Sequence, residues 1–108
     1  MAKRIWISYD LGIDGDYDGL YRWLDAHEAV ECGDSCASLL WSKAAGGIEH
    51  SIKLDLKKSV KLRNRDRIYL IFKDSQNKRK GDFIFGGRKK SAPWTGYTMS
   101  EASADEED

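Results

Sequence analysis

The apolar alternation in residues 4–10 constrains the fold more than any other feature of the chain. In a β-strand, Ile5, Ile7 and Tyr9 would lie on one face. The other face would carry Trp6, Ser8 and Asp10. The first strand therefore predicts a sheet whose apolar face packs against other elements.

The remaining sequence predicts two helices and three more strands. Asp16 is a suitable N-cap for a helix that runs to about residue 30. Residues 48–62 are compatible with a helix or a strand, and the basic residues at their end favour a helix. Further strands are predicted over 36–41, 67–73 and 82–85. The predicted order is β-α-β-α-β-β.

This pattern predicts an α+β protein, in which a single ferredoxin-like sheet carries two helices on one face. At 108 residues the chain fits one domain, which we assign to residues 1–99, followed by a disordered acidic tail over 100–108. The uncovered sheet face would carry Trp6, Tyr69 and Ile71. Because an exposed apolar face requires a partner, we expect a homodimer through these residues.

Charge is strongly segregated along the chain although the net charge is zero. Residues 1–50 hold 4 Lys and Arg against 9 Asp and Glu, whereas residues 51–90 hold 14 against 4. The basic block attracts phosphate and predicts a nucleic-acid partner. Its candidate binding residues are Lys57, Lys58, Lys61, Arg63, Arg65, Lys80, Arg88 and Lys89. The alternative is that residues 57–65 form the solvated face of one helix, neutralised by the acidic first half.

The chain shows no apolar signal stretch and no run as long as a membrane span, so we expect a cytoplasmic protein with no membrane partner. Its two cysteines, Cys32 and Cys36, are too few for a disulfide framework and are expected to be reduced. Together with His27 and His50 they match no closed zinc site.

The first strand ends in Tyr9-Asp10 and is followed by a helix and a strand that ends at Trp41. This arrangement resembles the small-subunit family of CRISPR spacer integration and the related VapD-like toxins. The resemblance implies a ferredoxin-like dimer, and for some members a metal-dependent nuclease. Asp10 would then be catalytic, with one Asp10 from each protomer holding Mg²⁺ or Mn²⁺ and activating water. The alternative is that Asp10 caps the loop at Leu11-Gly12.

A second metal hypothesis concerns the acidic residues that follow the first strand. Asp14, Asp16, Asp18 and Asp25 match calcium-loop spacing, except that Asp replaces the final Glu. The alternative is an acidic helix start favoured by the helix dipole.

Two aromatic segments complete the candidate sites. Phe83 and Phe85 lie at strand spacing beside basic residues, which resembles the aromatic strand of RNA-recognition domains, whereas most such residues are core. Trp94 either packs back on the domain or anchors a dimer partner.

The sequence thus predicts a small cytoplasmic dimer associated with nucleic acid. The resemblance implies a metal-dependent endonuclease of a prokaryotic defence or toxin system. The alternative is a non-catalytic RNA- or protein-binding module.

Overall fold

Five strands form one antiparallel sheet in the computed structural model, which describes residues 2–43 and 45–99. The elements in chain order are β1 (Lys3–Asp10), α1 (Tyr17–Ala26), β2 (Val30–Gly33), β3 (Cys36–Trp41), α2 (Ile48–Ser59), β4 (Arg67–Lys73) and β5 (Arg79–Phe85). The sheet order is β2-β3-β1-β4-β5. The predicted α+β class is confirmed. The predicted tail over 100–108 lies outside the described residues.

One face of the sheet forms the core, as the alternation in β1 predicts. Ile5 and Ile7 are fully buried, and Tyr9 is nearly so. Ile7 pairs with Leu70 on β4, and Ile5 pairs with Leu39 on β3, so apolar residues stand side by side across three strands. The helices cover this face with Leu20, Trp23, Leu24, Ile52 and Leu56.

The predicted element order is wrong at β2, which the sequence pattern did not indicate. α1 ends at Ala26 rather than near residue 30, because Glu28 adopts a left-handed backbone with φ 54°. The chain then forms β2, whose four residues are all exposed. An edge strand with no buried face has no apolar alternation, so its sequence carries no strand signal.

α2 and β5 also differ from their predicted bounds. α2 is a helix, but it ends at Ser59 because Val60 is already extended, with φ −123° and ψ 130°. Lys61, Arg63 and Arg65 therefore lie in the loop before β4 and do not share one helix face with Lys57 and Lys58. β5 begins at Arg79 rather than at residue 82.

Phe83 and Phe85 do not share a face, so this prediction is wrong. Phe83 pairs with Tyr69, but Phe85 pairs with Ile68, and the register shifts between them. A bulge of this kind places the two side chains on opposite faces of the sheet. Phe85 packs against the core, whereas the Phe83 ring lies 5.0 Å from the Tyr69 ring on the uncovered face.

Candidate functional site

Asp16 joins the start of α1 to the end of α2. Its Oδ1 accepts a hydrogen bond from the Gly19 backbone N–H at 2.9 Å, and its Oδ2 accepts one from the Lys61 backbone N–H at 2.9 Å. These bonds, with that of Lys61 first, lower the pKa of the Asp16 carboxyl. Gly19 has no space for a side chain, because a Cβ atom would lie 2.3 Å from Asp16 Oδ2. The Asp16 cap thus fixes the loop that carries Lys61.

This arrangement does not form the predicted calcium loop. Asp18 and Asp25 lie on α1, and both Asp16 oxygens accept backbone hydrogen bonds. In the part of the chain that the structure describes, no group of three or more His, Cys, Asp or Glu residues is arranged to hold a metal ion. The acidic residues form a capped helix start, which is the alternative reading of Asp14, Asp16, Asp18 and Asp25.

A concavity of about 900 Å³ lies between the start of α1, the end of α2 and the end of β5. Its basic lining residues are Arg22, Lys57, Lys58, Lys61 and Arg63. The carboxylate in its lining is Asp16, whose oxygens are engaged by backbone N–H groups. The concavity therefore has a positive potential, because the basic side chains outnumber the one carboxylate in its lining.

A second concavity of about 650 Å³ lies at the other end of α2, with Trp41, Phe72 and Ile84 among its apolar residues. Its basic lining residues are Lys3, Lys43, His50, Lys53 and Lys80, and its carboxylates are Glu49 and Asp74. The Lys78 backbone N–H contributes most to lowering the pKa of Asp74, which also forms an ion pair with Lys80 at 3.4 Å.

The two concavities follow one another along α2 and β5, and we call them together the α2–β5 groove. Lys53 and Ile84 line the second concavity, and Lys57 and Phe85 line the first. Lys53 and Lys57 are four residues apart on α2 and so lie on the same side of the helix. The Lys53 ammonium lies 5.8 Å from the centre of the Phe85 ring.

The structure brings together most, but not all, of the predicted nucleic-acid residues. Lys57, Lys58, Lys61, Arg63 and Lys80 line the α2–β5 groove. Arg65 lines a separate concavity of about 400 Å³ beside residues 12–15. Arg88 and Lys89 are exposed beyond β5 and line neither part of the groove. Arg22 was not among the predicted residues, because it lies far from the basic block in sequence and adjoins the loop only in the fold.

Asp10 lies on the uncovered face of the sheet and is paired with a cation. Its Oδ2 accepts a hydrogen bond from Arg67 Nη2 at 2.6 Å, between directly paired residues of β1 and β4. The Arg67 guanidinium also lies 6.0 Å from the centre of the Phe83 ring. Asp10 does not cap the following loop, because the Gly12 N–H donates to Asp66 Oδ1 at 2.8 Å. The loop-capping alternative is therefore wrong.

The uncovered face carries the aromatic residues that the sequence predicted. Trp6 is 37% exposed, and Tyr69 and Ile71 are half-buried. The Tyr69 ring lies over Gly81, where a Cβ atom would be 2.5 Å from its hydroxyl oxygen. Trp94 is 74% exposed and does not pack back on the domain. We call Trp6, Tyr69, Ile71 and Phe83 the open apolar face.

Asp55 organises a second polar cluster that the sequence did not indicate. It accepts a hydrogen bond from Trp23 Nε1 at 2.8 Å and lies 3.2 Å from His27 Nε2. Burial lowers the pKa of His27 despite the opposing effect of Asp55. Since His27 also packs edge-on against the Trp23 and Trp41 rings, the cluster holds α1 and α2 together.

Comparisons with protein-family models, curated proteins and solved structures find no match for this chain. The relation to the small CRISPR integration subunits and VapD-like toxins stays a prediction. Among residues 2–43 and 45–99, no helix combines the length and apolar composition needed to cross a bilayer.

Proposed function

We propose that this protein binds nucleic acid along the α2–β5 groove. The observation that carries the proposal is the convergence of basic side chains from α1, α2 and the loop before β4 on one concavity, with the second concavity following it along α2 and β5. Lysine and arginine side chains at such a surface neutralise phosphates and release their counterions.

The groove suits a single strand better than a rigid duplex. It runs between a helix and the edge strand β5, and a flexible sugar-phosphate backbone can follow such a path. Phe85, which is half-buried, supplies apolar surface beside Lys53 and Lys57. Binding would thus combine phosphate contacts with apolar contacts to bases, with little dependence on sequence.

The experiment is a fluorescence anisotropy titration of labelled single-stranded RNA over a series of salt concentrations. We expect binding at low salt that weakens steeply as salt rises, because released counterions oppose binding. Absence of binding at low salt would overturn the proposal, and binding that does not change with salt would show that the basic residues do not carry it.

A nuclease at Asp10 is the second candidate, and the exposure of this carboxylate is what favours it. The Asp10 side chain is 61% exposed, on the rim of a depression of about 220 Å³ that Ser8 and Tyr69 also line. Its carboxylate would hold Mg²⁺ or Mn²⁺ after separating from Arg67. Gel analysis of the same RNA with either ion tests this: cleavage that Asp10→Asn abolishes supports it, and intact RNA in every ion rejects it.

The fold proposal is a ferredoxin-like unit with an added edge strand. The support is the β2-β3-β1-β4 segment of the sheet, in which α1 connects β1 to β2 and α2 connects β3 to β4. Antiparallel pairing of β1 with β3 and of β3 with β2 makes β1 and β2 parallel, as a crossover helix requires. β5 extends this arrangement beside β4.

The partner proposal is a homodimer through the open apolar face. Four apolar side chains, from β1, β4 and β5, stand on a face that neither helix covers. A second copy supplies the same apolar surface, so a two-fold axis through the face would bury both.

Truncation of Trp6 tests the dimer. We expect the wild type to sediment as a dimer at micromolar concentration, and Trp6→Ala to raise the dissociation constant by about 10-fold or more, because a large aromatic contact is lost. Leu54→Ala is the control, since Leu54 is 46% exposed on α2, away from this face. A monomeric wild type, or equal weakening by both variants, would contradict the proposal.

A further inference from the structure

Cys32 and Cys36 face one another across the hairpin that joins β2 to β3. Residues 34 and 35 form its turn, and Gly33 pairs with Cys36. Glu31 pairs with Ala37, so the register shifts by one residue and Cys32 is the extra residue of a bulge. Cys32 and Gly33 therefore both stand opposite Cys36, which brings two thiol-bearing residues to one point of the sheet edge.

Both thiols are free, and solvent reaches them. Cys32 is exposed and Cys36 is half-buried. Burial raises the pKa of the Cys36 thiol, and the nearby Cys32 raises it further, which is consistent with the two side chains lying close together. All four β2 residues are exposed, and β2 is an edge strand that pairs with β3, so the Cys32 side of the hairpin contributes no side chain to the core.

We propose that Cys32 and Cys36 are a reversible dithiol switch. A small-molecule disulfide such as glutathione disulfide oxidises the two thiols to an intramolecular disulfide. The exposed Cys32 thiolate attacks glutathione disulfide, which forms a mixed disulfide and releases one glutathione thiolate. The Cys36 thiolate then attacks Cys32 Sγ, which forms the intramolecular bond and releases the second glutathione. The two cysteines lose two electrons, and glutathione disulfide gains them.

The hairpin contacts the end of β1, so the switch acts beside Asp10. The Tyr9 backbone N–H donates to the Ser35 carbonyl at 2.9 Å, and the Tyr9 hydroxyl donates to the Asp34 carbonyl at 3.4 Å. Cys36 also pairs directly with Ser8. A disulfide would therefore restrain the turn that holds the carboxyl end of β1. The α2–β5 groove borders the opposite edge of the sheet and would keep its RNA affinity.

The experiment incubates the reduced full-length protein in glutathione buffers of increasing oxidised fraction, followed by acid quenching and intact mass measurement. We expect the wild type to lose the mass of two hydrogen atoms as one monomeric species. Cys32→Ser lacks the attacking thiol and Cys36→Ser lacks the resolving thiol, so we expect each to be unable to lose this mass. Accumulation of glutathione adducts or disulfide-linked dimers in place of the intramolecular bond would overturn the proposal.

Hydrogen exchange on the two wild-type forms gives an independent readout. We expect slower exchange at the amides of Tyr9 and Ala37 in the oxidised form, because the closed hairpin opens less often. Equal exchange in both forms would overturn the part of the proposal that links the disulfide to β1. The mass measurement does not depend on RNA binding, so failure of the proposed function would leave this result unchanged.

Discussion

We expect the triple variant Lys57→Glu, Lys58→Glu, Lys61→Glu to bind single-stranded RNA about 100-fold more weakly than the wild type at ~0.1 M salt. All three residues line the α2–β5 groove beside Asp16. Each phosphate contact to a single strand contributes about 0.7 to the slope of log affinity against log salt, so the loss of three contacts costs roughly two decades. The slope itself should fall by about 2, which anisotropy titrations at several salt concentrations measure directly.

The matched control is Lys73→Glu, Lys78→Glu, Arg79→Glu, which changes net charge equally on the β4–β5 hairpin. None of these residues lines either part of the groove. A small loss is expected for the control, through the long-range potential alone. Equal loss in both triple variants would show that net charge, rather than the groove, governs binding.

A folding control accompanies these variants, because Lys57 and Lys58 lie in the last turn of α2. Glutamate at that position opposes the helix dipole. Thermal unfolding followed by circular dichroism separates a loss of affinity from a loss of structure. Replacement of the same lysines by glutamine should give an intermediate affinity with less effect on the helix.

We expect Asp66→Ala to lower the free energy of unfolding by about 3 kcal/mol. Asp66 is 1% exposed, and its two oxygens accept hydrogen bonds from the Gly12 N–H and the Arg63 N–H, each at 2.8 Å. Alanine leaves both donors without their acceptor and opens a space beneath the loop. Chemical denaturation measures the loss, and the melting temperature should fall by roughly 15 °C.

Two further variants make this expectation specific. Asp66→Asn retains one carbonyl oxygen and should lose less than Asp66→Ala, because one acceptor survives. Asp25→Ala removes an exposed carboxylate from α1 and should change stability by only a few tenths of a kcal/mol. If Asp66→Ala is as stable as Asp25→Ala, then Asp66 does not hold the two loops together.

Sequence periodicity predicted those elements whose residues alternate between core and solvent. The buried set of β4, Ile68, Leu70 and Phe72, is the set that its alternation indicates, and β1 follows the same rule. In β3 the apolar residues Ala37, Leu39 and Trp41 are buried, and Ser38 on the other face is buried with them. For α2, the basic residues at the end of an ambiguous segment favoured a helix, and the structure confirms it. An element with one buried face and one exposed face has a periodic pattern of apolar and polar residues, so its type can be predicted from its own sequence.

Strand bounds and side-chain orientations that depend on pairing with another segment could not be predicted in this way. β2 has no buried residue, so only its pairing with β3 makes it a strand. The opposite orientations of Phe83 and Phe85 follow from a register shift against β4, which the spacing of the two residues does not reveal. In each case the deciding hydrogen bonds come from a neighbouring strand.

The same distinction between local patterns and long-range contacts applies to the candidate site. The basic block, the helix start at Asp16 and the face shared by Trp6 and Tyr69 could all be predicted from the sequence, because each depends on residues close together in the chain. Only tertiary contacts bring Arg22 beside the basic loop residues, pair Arg67 with Asp10 and let Asp66 accept the Gly12 N–H. Those contacts join residues up to 57 positions apart, and strand order and loop geometry bring such residues together without leaving a local pattern.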